Sequence, residues 1–192
     1  MERNYIEEQT FEKVDFTSNP LKKGEYEYCH FINCNFSNSD LSGIAFSDCG
    51  FAGCNLSLAH LAKTALREVK FRDSKMLGLR FDNCDKFGFS VSFDNCTLNH
   101  SSFYQTKMKK TVFFKSFLHE ADFTDSDLTS AVFDGCDLAS AKFENSILER
   151  ADFRTSFNYS FDPAINRLKK AKFSLAGIPG LLDKYDIEIF PE

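Results

Sequence analysis

The chain has 192 residues, 43% of them hydrophobic, which is enough for one domain with a substantial core. Its net charge of −5 lacks the basic footprint of a generic nucleic-acid binder, so no direct contact with nucleic acid is expected. No apolar run approaches the ~18 residues needed to cross a bilayer, and the start is polar without a signal-peptide core, so no membrane contact and a cytoplasmic location are expected.

Met1 to Tyr5 read as a loose lead-in, with Ile6 the first residue of a repeating register. From Phe11 an apolar residue stands at every fifth position, through Phe16, Leu21, Tyr26, Phe31 and Phe36 and on to Phe81. Two residues before each of these stands a mostly small side chain, as at Cys29, Cys34, Ser39, Cys49, Cys54 and Ala59. The register breaks at Asp85-Lys86-Phe87-Gly88-Phe89-Ser90, where two extra residues enter and Lys86 falls where an apolar residue is due. It resumes at Phe93 and runs without a failure to Phe153, with Cys96, Ser101, Ala121, Ala131 and Cys136 among the small positions. Leu168 and Phe173 keep the same register. Gly177-Ile178-Pro179-Gly180 then interrupts it, and Leu181 to Tyr185 reads as a short capping helix followed by Ile187-Glu188-Ile189.

A period of five fits neither the 3.6 of a helix nor the 2 of a lone strand. It does fit a square coil in which each five-residue unit makes one side. The small and large positions then point inward, the other three face solvent, and successive coils stack at strand spacing. Residues 20 apart share a wall. Phe11, Phe31, Phe51, Phe71, Phe93, Phe113, Phe133 and Phe153 form such a column with a single 22-residue step, and the column continues to Phe173.

Stretches such as Ala121-Asp122-Phe123-Thr124-Asp125, Ser126-Asp127-Leu128 and Ala151-Asp152-Phe153 match A(D/N)LXX, and on them the chain resembles the pentapeptide-repeat family over about residues 6 to 173. The resemblance implies an all-β fold, a right-handed quadrilateral β-helix of about eight coils over residues 6–176, with the lead-in at 1–5 and a cap at 177–192. In relatives of the Qnr and MfpA type a similar tail crosses to a second subunit. A tail-to-tail homodimer is therefore implied, with Leu181, Leu182, Tyr185, Ile187 and Ile189 divided between cap and dimer contact. Such relatives bind bacterial DNA gyrase or topoisomerase IV and protect them from quinolones by presenting a DNA-like acidic surface. The implied protein is non-enzymatic and acts through its outer face. A scaffold for some other protein partner is the alternative.

All seven cysteines fall at the small inward position, Cys84 included if the first register is carried through Lys86. Zinc would need pairs two to four residues apart converging on one point, so the cysteines read as free thiols filling the core. The four histidines are outward and scattered, with His100 and His119 on adjacent coils of one wall. No phosphate-binding loop, dinucleotide motif or nucleophile elbow is present, so no catalytic residue, metal or cofactor is expected. Two features could contact a partner. At the break the residues allow two readings: a loop with one Phe turned back into the core, or Phe87 or Phe89 projecting beside Lys86 as an apolar contact for a partner. Phe89 is the ring expected to tolerate Ser without loss of stability. The second feature is an acidic run of Glu120, Asp122, Asp125, Asp127, Asp134 and Asp137 that contains no Lys or Arg. No wall laid out at a stride of 20 is acidic from end to end.

Overall fold

Each rung of the phenylalanine column lies in register beside the next: Phe11 opposite Phe31, Phe31 opposite Phe51, Phe51 opposite Phe71, Phe71 opposite Phe93. The computed structural model describes residues 4–190 as a four-walled parallel β-solenoid of about seven regular turns. On the phenylalanine wall, strands Thr10–Glu12, His30–Ile32, Gly50–Ala52, Val69–Arg72, Val91–Asp94, Val112–Phe114 and Val132–Asp134 make one parallel sheet. Bridges from Val132 to Asp152 and from Asp152 to Lys172 extend it. A second sheet, Asn4–Glu7, Gly24–Glu27, Ala45–Ser47 and Ala65–Arg67, covers the N-terminal half of the fourth wall. The remaining walls are held by single bridges, such as the chain from Asp15 through Asn35 and Asn55 to Lys75 on the second wall.

The axis is filled by rings. Centroids along the phenylalanine column lie 4.6 Å apart between Phe31 and Phe51, 5.1 Å between Phe93 and Phe113, and 4.8 Å between Phe113 and Phe133, with planes nearly parallel. Phe81, Phe103, Phe123 and Phe143 stack the same way on the opposite wall. The two columns meet edge to face, as between Phe113 and Phe123 at 5.9 Å and 89°. Both geometries suit the aromatic quadrupole, so each ring gains from neighbours along and across the axis.

The small inward positions explain the cysteine content. Several donate to a carbonyl of the preceding coil: Cys34 Sγ to Phe11 O at 3.3 Å, Cys54 Sγ to Phe31 O at 3.3 Å, Thr64 Oγ1 to Leu41 O at 2.8 Å. A thiol is small, largely apolar and a weak donor, which is what this position requires. All seven cysteines are free and buried. Burial pushes the thiols of Cys49, Cys54 and Cys136 up to about 12, so they stay protonated and inert.

The preference for Asp or Asn one residue before the large position also has a local cause. Its carboxylate or amide oxygen accepts the backbone N–H two residues on: Asp122 from Thr124 at 2.9 Å, Asp127 from Thr129 at 3.1 Å, Asp152 from Arg154 at 3.2 Å. This turn carries the chain around the corner, where the residue two after the large position takes a left-handed φ, for example +53° at Asn33 and +57° at Asp125.

The C-terminal end departs from the expected register. Between Phe153 and Leu168 the core positions are taken by Tyr159 and Phe161, which pack on Phe153 at 5.7 and 5.8 Å. The cap starts earlier than expected and is not α-helical. A 3-10 helix spans Leu175–Leu181, with the Ser174 side chain accepting the Gly177 N–H, and a second 3-10 turn spans Asp183–Tyr185. The expected boundary at 176/177 thus falls inside the first of these, because the i to i+3 bonding of a 3-10 turn accommodates Gly-Ile-Pro-Gly. Ile187 to Ile189 carries no strand.

Candidate functional site

The break at residues 85–90 lies on the fourth wall, between Leu66 and Met108. Asp85 N–H bonds Thr64 O at 2.9 Å and Ser90 N–H bonds Leu66 O at 2.9 Å, so the ladder closes on both sides of the two extra residues. Asp85 Oδ1 accepts the Phe87 N–H at 3.0 Å, and Gly88 reverses the chain with φ +68°. Phe87 is thrown outward, 78% exposed, with the Arg67 guanidinium 5.8 Å above its ring. Lys86 is exposed beside it.

Phe89 does the opposite, which corrects its assignment as a surface contact. It is half-buried and packs on the core, 6.4 Å from the Phe81 ring, filling the place that Lys86 would have held. The reason is steric: the extra residues let the chain skip a charged residue and supply a ring to the axis instead. Phe89→Ser is therefore expected to lower stability by about 2 kcal/mol, or roughly 5 °C in a thermal melt. Phe87→Ser should leave the melt within about 2 °C. Circular dichroism melts of the two variants check this.

The acidic run of residues 120–137 is a belt and not a patch. Twenty residues make one full coil, so its members point from all four walls, and most meet a partner on the coil before or after. Glu120 lies 3.3 Å from His100 Nδ1, Asp125 accepts from Gln105 Nε2 at 3.4 Å, and Asp127 lies 3.2 Å from Lys109 Nζ. Asp134 accepts from Thr155 Oγ1 at 2.7 Å. Asp137 accepts from Asn158 Nδ2 at 2.9 Å and lies 2.8 Å from His119 Nε2, which is not aligned for a hydrogen bond. Burial raises the carboxyl of Asp137, but its contacts with Asn158 and His119 outweigh that and hold it below its ordinary value. Asp122 and Asp127 also hold the turns described above. The belt's carboxylates are thus engaged in turns and in contacts between coils.

Charge gathers elsewhere, on the fourth wall, where neighbours in space are 20 apart in sequence. Its rows before the break are residues 4–8, 24–28, 44–48 and 64–68, aligned by Glu7 opposite Glu27, Glu27 opposite Ser47 and Ser47 opposite Arg67. They carry Glu7, Glu8, Glu25, Glu27, Asp48 and Glu68 against Arg67, a net of five negative charges. The rows after the break are 106–110, 126–130, 146–150 and 166–170, aligned by the bridges from Lys107 through Asp127 and Ile147 to Arg167. They carry Lys107, Lys109, Lys110, Arg150, Arg167, Lys169 and Lys170 against Asp127 and Glu149, a net of five positive charges. Reading along the chain misses this division. Reading at the coil length would have found it.

The tail residues separate by burial. Leu181 is buried in the cap, Leu182 is half-buried, and Tyr185, Ile187 and Ile189 are exposed, as is Leu175. No helix among the described residues is long and apolar enough to cross a membrane, and no cluster of three or more metal-ligating side chains occurs among them.

Family models described as "Pentapeptide repeat region" and "Pentapeptide repeats (8 copies)" match residues 24–88 and 116–154, together just over half of the chain. The chain belongs to the pentapeptide-repeat family. No curated protein matches this pentapeptide-repeat protein. Among solved structures it is similar to a trypsin-treated form of QnrB1, described as a plasmid-mediated fluoroquinolone resistance protein. The identity is 19% and the TM-score 0.64, over 98% of this chain and 92% of that one. A second trypsin-treated form of QnrB1 gives 16% identity and a TM-score of 0.61, over 98% of each chain. At these identities the likeness is one of fold: a pentapeptide-repeat β-solenoid over nearly the full length.

Proposed function

We propose that this pentapeptide-repeat protein works without catalysis, by binding another protein with its outer surface, and that the partner is bacterial DNA gyrase or topoisomerase IV. The observation that carries the reading is the acidic N-terminal half of the fourth wall, ending in the exposed Phe87 ring. Six carboxylates over three coil steps give roughly one charge per 2–3 Å, close to the ~1.7 Å of duplex DNA. The rings filling the axis leave recognition to the outside, and a protein described as conferring fluoroquinolone resistance has the same fold. The acidic rows stop at the break, so Phe87 and Arg67 would provide the remaining contact, apolar and cationic beside the anionic strip.

The test is a gyrase supercoiling assay with and without ciprofloxacin. The protein should inhibit supercoiling or restore it in the presence of the drug. Replacing exposed Glu8, Asp48 and Glu68 together by Lys should reduce that effect at least tenfold. The second reading, a scaffold for a different partner, is favoured by the change of sign at mid-wall, which duplex DNA does not have. A pull-down enriching a protein other than a topoisomerase, with supercoiling unaffected, would select it.

A further inference from the structure

The division of charge on the fourth wall has a symmetry of its own. Four rows lie before the break and four after it, with opposite net charge of equal size, and Phe87, more exposed than Tyr5 and Tyr28 on the same wall, sits at the midpoint. A two-fold axis through the break, perpendicular to the rod, would lay each row of one copy on the row equally far beyond the break in the other. Glu7 and Glu8 would then face Lys169 and Lys170 of the second copy, and Glu68 would face its Lys110. In between, Arg150 would face Tyr28 with Glu27 beside it, and Asp48 would face the Ser130 hydroxyl. Two like pairs, Glu27 with Glu149 and Arg67 with Lys109, would oppose the contact, so the attraction is concentrated in the outermost rows. Phe87 would meet its own copy on the axis.

We propose that the fourth wall is a self-complementary surface on which a second copy of this chain docks side by side and antiparallel. The two-fold is what charge demands: a parallel arrangement would set carboxylate rows on carboxylate rows and lysine rows on lysine rows. A closed two-fold pairing also uses both halves of the wall at once and leaves no open end. The break is built for an axial contact, since the Asp85 turn, Gly88 and the Arg67 guanidinium hold Phe87 outward before any partner arrives. A strip one wall wide and about 40 Å long falls below the ~800 Å² per side of a standard interface, so the association is weak and governed by charge. It weakens as salt screens the rows. The inference does not depend on the identity of the partner proposed above. It adds that a second copy would cover the acidic rows and Phe87, so self-association and partner binding compete.

Sedimentation of the full chain reads this without any topoisomerase. At low salt the mass should approach twice 21.9 kDa, and at ~0.5 M salt it should return to the monomer. Reversing one half (Arg167→Glu, Lys169→Glu, Lys170→Glu) should raise the dissociation constant at least tenfold, and so should reversing the other (Glu7→Lys, Glu8→Lys). Combining the two sets should restore dimerisation, because opposite rows are complementary again. Only a self-facing surface behaves so, and recovery in the combined variant rules out misfolding as the cause of the losses. The Phe87→Cys variant should be joined to its own copy by a short bis-maleimide, the native cysteines being buried. A monomer at low salt, a combined variant that fails to recover, or a Phe87→Cys variant that does not cross-link would each overturn the proposal. So would a dimer indifferent to the reversals and abolished by Ile187→Asp with Ile189→Asp, which is the tail-to-tail arrangement.

Discussion

Phe113→Ala should cost about 4 kcal/mol and lower the melting temperature by roughly 10 °C. The ring is fully buried, stacked between Phe93 at 5.1 Å and Phe133 at 4.8 Å, and met edge-on by Phe103 and Phe123 at 5.9 Å each. Its neighbours are themselves stacked and cannot collapse into the space without leaving their own partners, so the cavity stays open and its full cost is felt. Position along the rod sets the size of the effect. Phe11, at the first rung, is only half-buried and stacks on one side, against Phe31. Phe11→Ala should cost less than half as much. Because each coil touches only its neighbours, a hole at mid-rod should also uncouple the two halves, and calorimetry should show a broadened or divided transition. A single sharp transition with an unchanged midpoint would contradict the stacked-ring account.

Gly180→Ala should detach the C-terminal cap. A Cβ at Gly180 would stand 1.9 Å from the Tyr159 carbonyl oxygen and 3.0 Å from its carbonyl carbon, and neither backbone atom can yield without moving the last coil. Gly180 O also accepts the Phe161 N–H at 3.0 Å, so the same displacement breaks the bond that ties the cap to the core. The expected loss is about 3 kcal/mol, confined to the end of the rod. Hydrogen exchange at the Phe161 amide should accelerate, and light scattering should rise as the uncovered edge and rings find other chains. Gly177→Ala should act on the Tyr159 ring and not on the backbone. Its Cβ would meet the Tyr159 hydroxyl at 1.9 Å and the ring carbon behind it at 2.7 Å, and that ring is buried against Phe153 and Phe173, so it must leave its place in the core to make room. Equal protection of the Phe161 amide in the Gly180→Ala variant and the parent would show that the cap is not held there.

The solenoid was legible because its cause is local and repeated. An inward large residue every fifth position admits one arrangement of walls, and the stride of 20 then puts Phe on Phe along a single wall, as observed at every rung from Phe11 to Phe173. Cysteine burial followed from the same register. The candidate site was legible only in part. That one Phe of the break turns inward could be foreseen, but which one could not: Phe87 and Phe89 differ by two residues and have identical side chains. The Asp85 turn and the left-handed Gly88 make the choice through backbone geometry. The dispersal of the acidic run was hidden for a similar reason. Adjacency in sequence around a square coil means dispersal over four walls, and each carboxylate meets a side chain or a turn that the linear order does not reveal.

Fold, wall assignment and core composition were thus set by the sequence alone, since they need only period and side-chain size. The cap was not, because Tyr159, Phe161, Gly177 and Gly180 fit together through close contacts between segments that share no period. Nor was the surface: the opposed charge of the two halves of the fourth wall exists only once residues 20 apart are stacked at strand spacing. Charge acts through distance in space, and the coil is what brings Glu8 beside Glu27 and Lys110 beside Thr129, one step from Arg150.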